Sequence, residues 1–191
     1  MLTHAPTGAP SDWITRWAHL VRPAGRVLDL ACGSGRHARW FAQRGHAVVG
    51  VDRDAEAVGA LPPPISGRVE DLERGPWPLA DEAPFDAIVV ANYLHRPLWA
   101  SLAGALAPGG ILLYETFASG NETVGKPSRP DFLLNPGELL EVARTHGLRV
   151  IGYEDGVLEV PRTAFIQRLC AVREVERTAG KGGPPAYRLP A

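Results

Sequence analysis

The chain has 191 residues, 45% of them hydrophobic and 21% charged, and a formal net charge of −1. One domain of this length can bury about 70% of the surface its unfolded form exposes, so neither a disordered nor a staple-dependent chain is expected. The near-zero charge supplies no general field for nucleic acid, which favours small or neutral partners.

Two cysteines, Cys32 and Cys170, form no spaced pairs and no Cys-x-x-Cys metal pattern, so both read as buried thiols in a reducing compartment, with no metal expected. The opening residues M-L-T-H-A-P-T-G-A-P have neither the basic start nor the apolar core of a secretory signal. No stretch approaches the roughly 18 apolar residues of a membrane span. A cytoplasmic protein with no membrane contact is the expectation, and its oligomeric state is open.

Ser11 or Asp12 can cap a first helix running through Trp13, Ile14, Trp17 and Leu20 up to Pro23. A buried strand, Arg26 to Leu30, empties into a glycine turn. A helix follows from Arg36 to Arg44, with Gly45 as its stop. Residues Ala47 to Val51 are a continuous apolar run of the kind found in parallel strands covered on both faces. A short helix from Asp54 to Leu61 ends at Pro62-Pro63-Pro64, and Ile65 to Val69 is a weak third strand. Phe85 to Ala91 reads as a strong fourth strand, Leu94 to Leu106 as a helix, and Ile111 to Thr116 as a fifth strand. The stretch from Phe117 to Pro136, rich in Gly and Pro, is an irregular connection of a length that usually carries function. Asn135 is expected to cap a helix from Gly137 to His146, before two last strands, Leu148 to Tyr153 and Phe165 to Val172. Residues 1–175 therefore form one domain, with an N-terminal helical segment at 1–24, and the polar residues 176–191 read as a mobile tail.

The functional signal is concentrated in R-V-L-D-L-A-C-G-S-G-R-H-A, residues 26 to 38, followed by H-A-V-V-G-V-D, residues 46 to 52. A strand that ends in Gly-x-Gly at a helix start presents bare backbone N–H groups to a ligand, and an acid 19 positions after Gly33 suits a ribose. The geometry fits S-adenosylmethionine and nicotinamide dinucleotides alike. Asp29 separates them, because a carboxylate four residues before Gly33 repels a pyrophosphate and attracts an amino group and a sulfonium. V-L-D-L-A-C-G-S-G resembles the first motif of the class I S-adenosylmethionine-dependent methyltransferases, with Ala31 where many members have glycine. The stretch Gly33 to Ala38 also fits G-x-G-x-x-A, so a nicotinamide-dependent oxidoreductase stays as the alternative, beside a non-catalytic S-adenosylmethionine-binding module.

The resemblance implies a Rossmann-like, doubly wound α/β sheet, seven-stranded and mostly parallel, with an antiparallel last strand. It implies that Gly33 and Gly35 approach the cofactor, that Asp29 orients its amino end directly or through water, and that Asp52, with Arg53 beside it, holds the ribose hydroxyls. Asp71 and Leu72 match the positions that meet the adenine. Asn92 and Tyr93 line the methionine side, where Tyr93 can offer its ring face to the sulfonium. Arg16 is a candidate for the cofactor carboxylate, with Trp13 or Trp17 as a lid or, in the plainer reading, packed on the sheet.

Methyl transfer is an in-line displacement that needs positioning more than a dedicated nucleophile. His95 and Glu115 are nonetheless the acid/base candidates, joined by Tyr93 as a catalytic residue. The stretch V-G-K-P-S-R-P-D-F-L-L-N-P-G-E-L-L looks like that of the tellurite-resistance methyltransferases. That likeness implies a small oxyanion or other small nucleophile as acceptor, with Lys126 and Arg129 supplying positive charge. The Asn/Asp-Pro-Pro-aromatic motif of base amino-methylating enzymes is missing after the fourth strand, where the chain reads A-N-Y-L-H-R, and so is the Pro-Cys of cytosine methylation. A nucleic-acid or protein acceptor is thus the second choice, kept open by Arg162, Arg168, Arg173, Arg177, Lys181 and Arg188 near the end of the chain.

Overall fold

The computed structural model describes residues 8–82, 84–175 and 185–190. Helix α1, Asp12–Trp17, starts where Ser11 accepts the Trp13 N–H, and runs on as a 3-10 turn, Ala18–Leu20. Strand β1 (Arg26–Leu30) leads through the glycine turn to α2 (Arg36–Ala42) and β2 (Ala47–Asp52), and α3 (Ala55–Gly59) is capped by Asp54. Then follow β3 (Ser66–Val69), β4 (Phe85–Ala91), α4 (Trp99–Ala105), β5 (Leu106–Phe117), α5 (Glu138–Thr145), β6 (Arg149–Leu158) and β7 (Ala164–Val172).

The seven strands form one sheet in the order β3-β2-β1-β4-β5-β7-β6. The strands from β3 through β5 pair parallel, and β7 inserts antiparallel to both β5 and β6. The expected doubly wound sheet with an antiparallel last strand is what forms. Alternation along each strand divides the core in two. Leu28, Val49, Val51, Ile88, Leu112 and Tyr114 face α4 and α5, while Val27, Val48, Ala87, Val89, Ile111 and Leu113 face α1 and α2.

Several boundaries move for physical reasons. Helix α4 starts at Trp99 because Pro97 fits only a first turn, which here is a 3-10 turn over Arg96–Leu98. Strand β5 begins at Leu106, with a register shift where Pro108, Gly109 and Gly110 loop out before Ile111 resumes pairing with Ala87. The N-cap of α5 is Gly137 at φ 73°, and Asn135 instead donates its side-chain and backbone N–H groups to Glu138. Of the segment read as a tail, residues 185–190 lie on the body: Tyr187 packs into the α1 cluster, and His19 and Arg149 bond the Arg188 and Pro185 carbonyls. Residues 176–184 fall outside the described residues.

A row of alternating charge ties α1 to the sheet. Glu115, Arg168 and Glu154 are direct cross-strand neighbours on β5, β7 and β6, and Arg16 of α1 closes the row. Arg168 meets Glu115 at 2.6 Å and Glu154 at 3.0 Å, and Glu154 meets Arg16 at 2.8 Å. Trp13, whose ring lies under both guanidinium groups, donates its indole N–H to the Leu169 carbonyl. Removing Arg168 strands the buried Glu115 carboxylate, so Arg168→Ala is expected to cost on the order of 3–5 kcal/mol in urea denaturation. Replacing the pair together, Glu115→Leu with Arg168→Met, should recover most of that loss.

Candidate active site

The carboxyl ends of β1, β2, β3 and β4 surround a cavity of about 300 Å³. Its walls are Ala31 from the glycine turn, Asp52 and Arg53 from the end of β2, Glu70 to Glu73 beyond β3, and Asn92 and Tyr93 beyond β4. A second cavity of about 260 Å³ adjoins it and shares Glu73, Asn92 and Tyr93. Its remaining wall is Leu94, Thr116 and Phe117 from the end of β5, and Pro127 and Phe132 from the long connection.

Sharp backbone turns make these walls. Ala31 (φ 52°) and Asn92 (φ 58°) both adopt the left-handed conformation just past their strands, which turns the chain across the sheet's edge. The Asn92 N–H donates to the Glu115 carbonyl at 2.8 Å, so Tyr93 is carried to the junction of the two cavities. The Asp52 carboxylate accepts the Gly33 N–H at 2.7 Å and the Asp54 N–H at 3.0 Å, which fixes it toward the cavity with lone pairs to spare. Leu72 is buried, and Asp71 accepts the Glu73 N–H at 3.0 Å and pairs with Arg74.

The two glycines differ. A Cβ on Gly33 would meet nothing within 4 Å, whereas one on Gly35 would lie 2.2 Å from the Leu61 side chain. Gly33 therefore leaves its face open to a ligand, and Gly35 serves the packing of α2 against the α3–β3 connection rather than ligand approach.

Asp29 turns away from the cavity. Strand parity puts it on the Val27 face, where it is 1% exposed and accepts the Ala38 N–H of α2 at 2.8 Å. His37 lies 3.9 Å from it and accepts the Ser11 N–H through Nε2 at 3.1 Å, which assigns the His37 proton to Nδ1. Burial pushes the Asp29 carboxyl up to about 7, against the pull of the Ala38 N–H and Arg36, and burial with the Arg36 charge pushes His37 down to about 3.

Several other expected site residues are engaged elsewhere. Glu115 is held by Arg168, and Arg16 by Glu154, and neither lines either of these two cavities. Trp13 and Trp17 are packed rather than a lid: both are buried, and Trp17 lies against Gly152. His95 stands one residue past the cavity wall as the N-cap of a 3-10 turn, with no side-chain cap bond. Lys126 and Arg129 flank the wall residue Pro127 but are exposed, and Arg129 pairs with Asp131 at 2.9 Å. Of the late arginines, Arg168 is in the buried row and Arg173 bonds the Gly104 and Leu106 carbonyls.

Arg96 carries a role that sequence reading passed over. Its guanidinium forks onto Glu138 at 2.6 and 2.9 Å and also holds the Asp131 and Leu133 carbonyls at 3.0 and 2.9 Å. It thereby fastens the long connection to α5. Asn121, 1% exposed, closes the same connection by bonding the Pro127 carbonyl and the Phe165 N–H. Glu73 was likewise unassigned, whereas Phe117 and Phe132 lie in the connection expected to carry function and Thr116 sits where a parallel strand stops.

Four carboxylates, Asp52, Glu70, Asp71 and Glu73, face the first cavity against one guanidinium, Arg53. That balance suits a cationic ligand and opposes a pyrophosphate. The buried Tyr93 hydroxyl has no hydrogen-bond partner among the described residues, a lack that a ligand at the junction would remedy. The donor set thus fits S-adenosylmethionine: Asp52 for the ribose hydroxyls, Asp71 and Leu72 for the adenine, and Asn92 and Tyr93 toward the methionine side. Sheet order and strand-end cavities together are those of the class I methyltransferase fold.

Comparison with known proteins agrees and is more particular. Residues 27–110 match the family described as a methyltransferase domain. A putative methyltransferase, YqeM, of Bacillus subtilis is 31% identical over 124 residues, 58% of this chain and 50% of that protein. A protein-L-isoaspartate O-methyltransferase of Chlorobaculum tepidum is 36% identical over 98 residues, 48% of this chain and 44% of that protein. The chain thus spans about half the length of the curated relatives it matches. In fold it is similar to TehB from Haemophilus influenzae, with a TM-score of 0.73 at 19% identity over 88% of this chain and 64% of that one.

Two outcomes follow. Gly33→Ala should cost about 1 kcal/mol from its left-handed φ and weaken cofactor binding. Gly35→Ala should cost about 2 kcal/mol or more, because Leu61 must also move; paired denaturation and calorimetric titrations separate the two effects. The second concerns pH. Near pH 5, folded Asp29 holds a proton and folded His37 does not, while in the unfolded chain the positions reverse, so their effects on the slope of stability with pH offset. Asp29→Asn keeps an acceptor for the Ala38 N–H but leaves only His37. Its stability should therefore rise between pH 4 and 6.5 more steeply than that of wild type, by up to about 1.4 kcal/mol per pH unit. Urea denaturation at several pH values reads the difference.

Proposed function

We propose that the chain transfers a methyl group from S-adenosylmethionine to a small-molecule acceptor held in the second cavity. The observation that carries this reading is the open space beside Tyr93. A cavity bounded by the ends of β4 and β5 and by an ordered loop meets the acidic cavity at Glu73, Asn92 and Tyr93. A module that only binds the cofactor needs no such space. A nicotinamide-dependent reductase would have to place a pyrophosphate among four carboxylates.

When bound, S-adenosylmethionine supplies an activated methyl group on a sulfonium, whose sulfur keeps the electron pair of the broken bond. The chain's own residues have the tasks of binding and orientation. Asp52 accepts hydrogen bonds from ribose hydroxyls while the Gly33 and Asp54 N–H groups hold it still. Leu72 offers apolar surface, and Asp71 an acceptor for an amino group. Tyr93 and Asn92 form the partition between cofactor and acceptor. The second cavity then holds the acceptor in line, which is the larger part of what this displacement requires. Arg96 acts on that side as a positioning residue, since it keeps the loop bearing Pro127 and Phe132 in place.

Calorimetric titration tests the reading. Wild type should bind S-adenosylmethionine and S-adenosylhomocysteine at micromolar concentration and NADH not at all, and Asp52→Ala should weaken binding about 10- to 100-fold. Binding of NADH alone would overturn the reading. Once an acceptor is in hand, Arg96→Leu should raise its KM severalfold with little change in cofactor Kd. An equal rise in both would assign Arg96 to general stability instead.

A further inference from the structure

The second cavity also constrains the acceptor, an inference that rests on the methyltransferase reading. We propose that it takes an uncharged, apolar acceptor of about one substituted ring, bearing a hydroxyl, thiol or amine that hydrogen-bonds the Tyr93 hydroxyl, and that it does not take an oxyanion.

Charge is the first ground. Among the described residues its wall holds no Lys, Arg or His, and its one ionisable acid is Glu73. An oxyanion there would lose its water without gaining a cation, and would face that carboxylate. The cations nearby are turned to other work. Arg129 pairs with Asp131 and lies 5.3 Å over the Phe132 ring, and Arg162 lies 5.7 Å over the Phe117 ring. Lys126 is exposed and is not part of the wall, although the next residue, Pro127, is.

Shape and polarity are the second ground. Leu94, Phe117, Pro127 and Phe132 make a largely apolar enclosure of about 260 Å³. An apolar cavity of about 150 Å³ already holds a benzene ring, so one ring with a substituent fits. The third ground is Tyr93, which belongs to both cavity walls and whose buried hydroxyl has no partner among the described residues. Burial and the neighbouring Glu73 and Asp71 charges hold its proton on, so it meets a ligand as a phenol that can donate. A heteroatom placed there lies on the side of the cavity that adjoins the cofactor site. Methylation of such an acceptor joins the heteroatom's lone pair to the methyl carbon, leaves the electron pair of the broken carbon–sulfur bond on sulfur, and releases the X–H proton to water.

The test uses the whole chain. S-adenosylhomocysteine is first titrated into wild type by calorimetry. 4-Methylphenol, benzenethiol, selenite and tellurite are then titrated into the loaded protein by ligand-observed NMR, with methylated products followed by mass spectrometry after S-adenosylmethionine is added. The ring probes should bind and the oxyanions should not. Tyr93→Phe should weaken 4-methylphenol about three- to tenfold. Phe132→Ala, a truncation at a half-exposed position that leaves the core intact, should also weaken it. No binding of S-adenosylhomocysteine would bring down the methyltransferase reading and this proposal with it. Binding of S-adenosylhomocysteine with oxyanions in place of ring probes, with no probe at all, or with ring probes that neither variant weakens would overturn the acceptor assignment alone.

Discussion

The period-two alternation of the strands is the constraint on which the rest of this structure depends. Every second side chain of β1, β4 and β5 faces α1 and α2, and the others face α4 and α5. Asp29 and Glu115 fall on the α1 and α2 face and are consumed there, one by an amide of α2 and the other by Arg168. Tyr114 and Thr116 fall on the opposite face, so Thr116 reaches the second cavity. An acid near the carboxyl end of a strand is available for chemistry only if its parity allows it.

The acids lost to chemistry organise the first helix. Burying a carboxylate is unfavourable unless it is paired or keeps its proton, and this chain uses both solutions on one face of one sheet. Glu115 is paired through Arg168 into a row that ends on Arg16. Asp29 retains a proton into the neutral range and sits beside His37, whose other nitrogen receives the Ser11 N–H at the start of α1. The helix ahead of the first strand is thus fastened at its beginning by His37 and at its end by Glu154. Trp13 and Trp17 supply apolar area between those two points.

Much of the fold was legible because its signals are local. The apolar runs at Ala47 to Val51 and Phe85 to Ala91 and the stop at Gly45 act within a few residues of themselves. That Asp52, Asp71, Leu72, Asn92 and Tyr93 would line one cavity was legible for a related reason: a parallel sheet gathers its strand ends, so their place in the chain already brings them together. Arg16 and Glu115 misled because what holds them is distant in sequence. Glu154, 138 positions from Arg16, has no local signature. Arg96 was missed on the same account, since all of its partner groups belong to a loop and a helix that meet it only after folding.

The division of labour between the two cavities follows from where the chain is regular. The first is built from strand ends and short turns held by backbone hydrogen bonds, geometry that side-chain changes hardly alter. The second depends on a connection of some 20 residues, which would ordinarily lose any bound shape to conformational entropy. Asn121 and Arg96 offset that loss with bonds that reach both ends of the connection and fix it against β7 and α5. A wall ordered before the acceptor arrives does not draw on binding energy to form. Because only Glu73, Asn92 and Tyr93 belong to both cavities, substitutions at Phe117, Pro127 or Phe132 can reshape the second while Asp52 and the glycine turn keep their geometry.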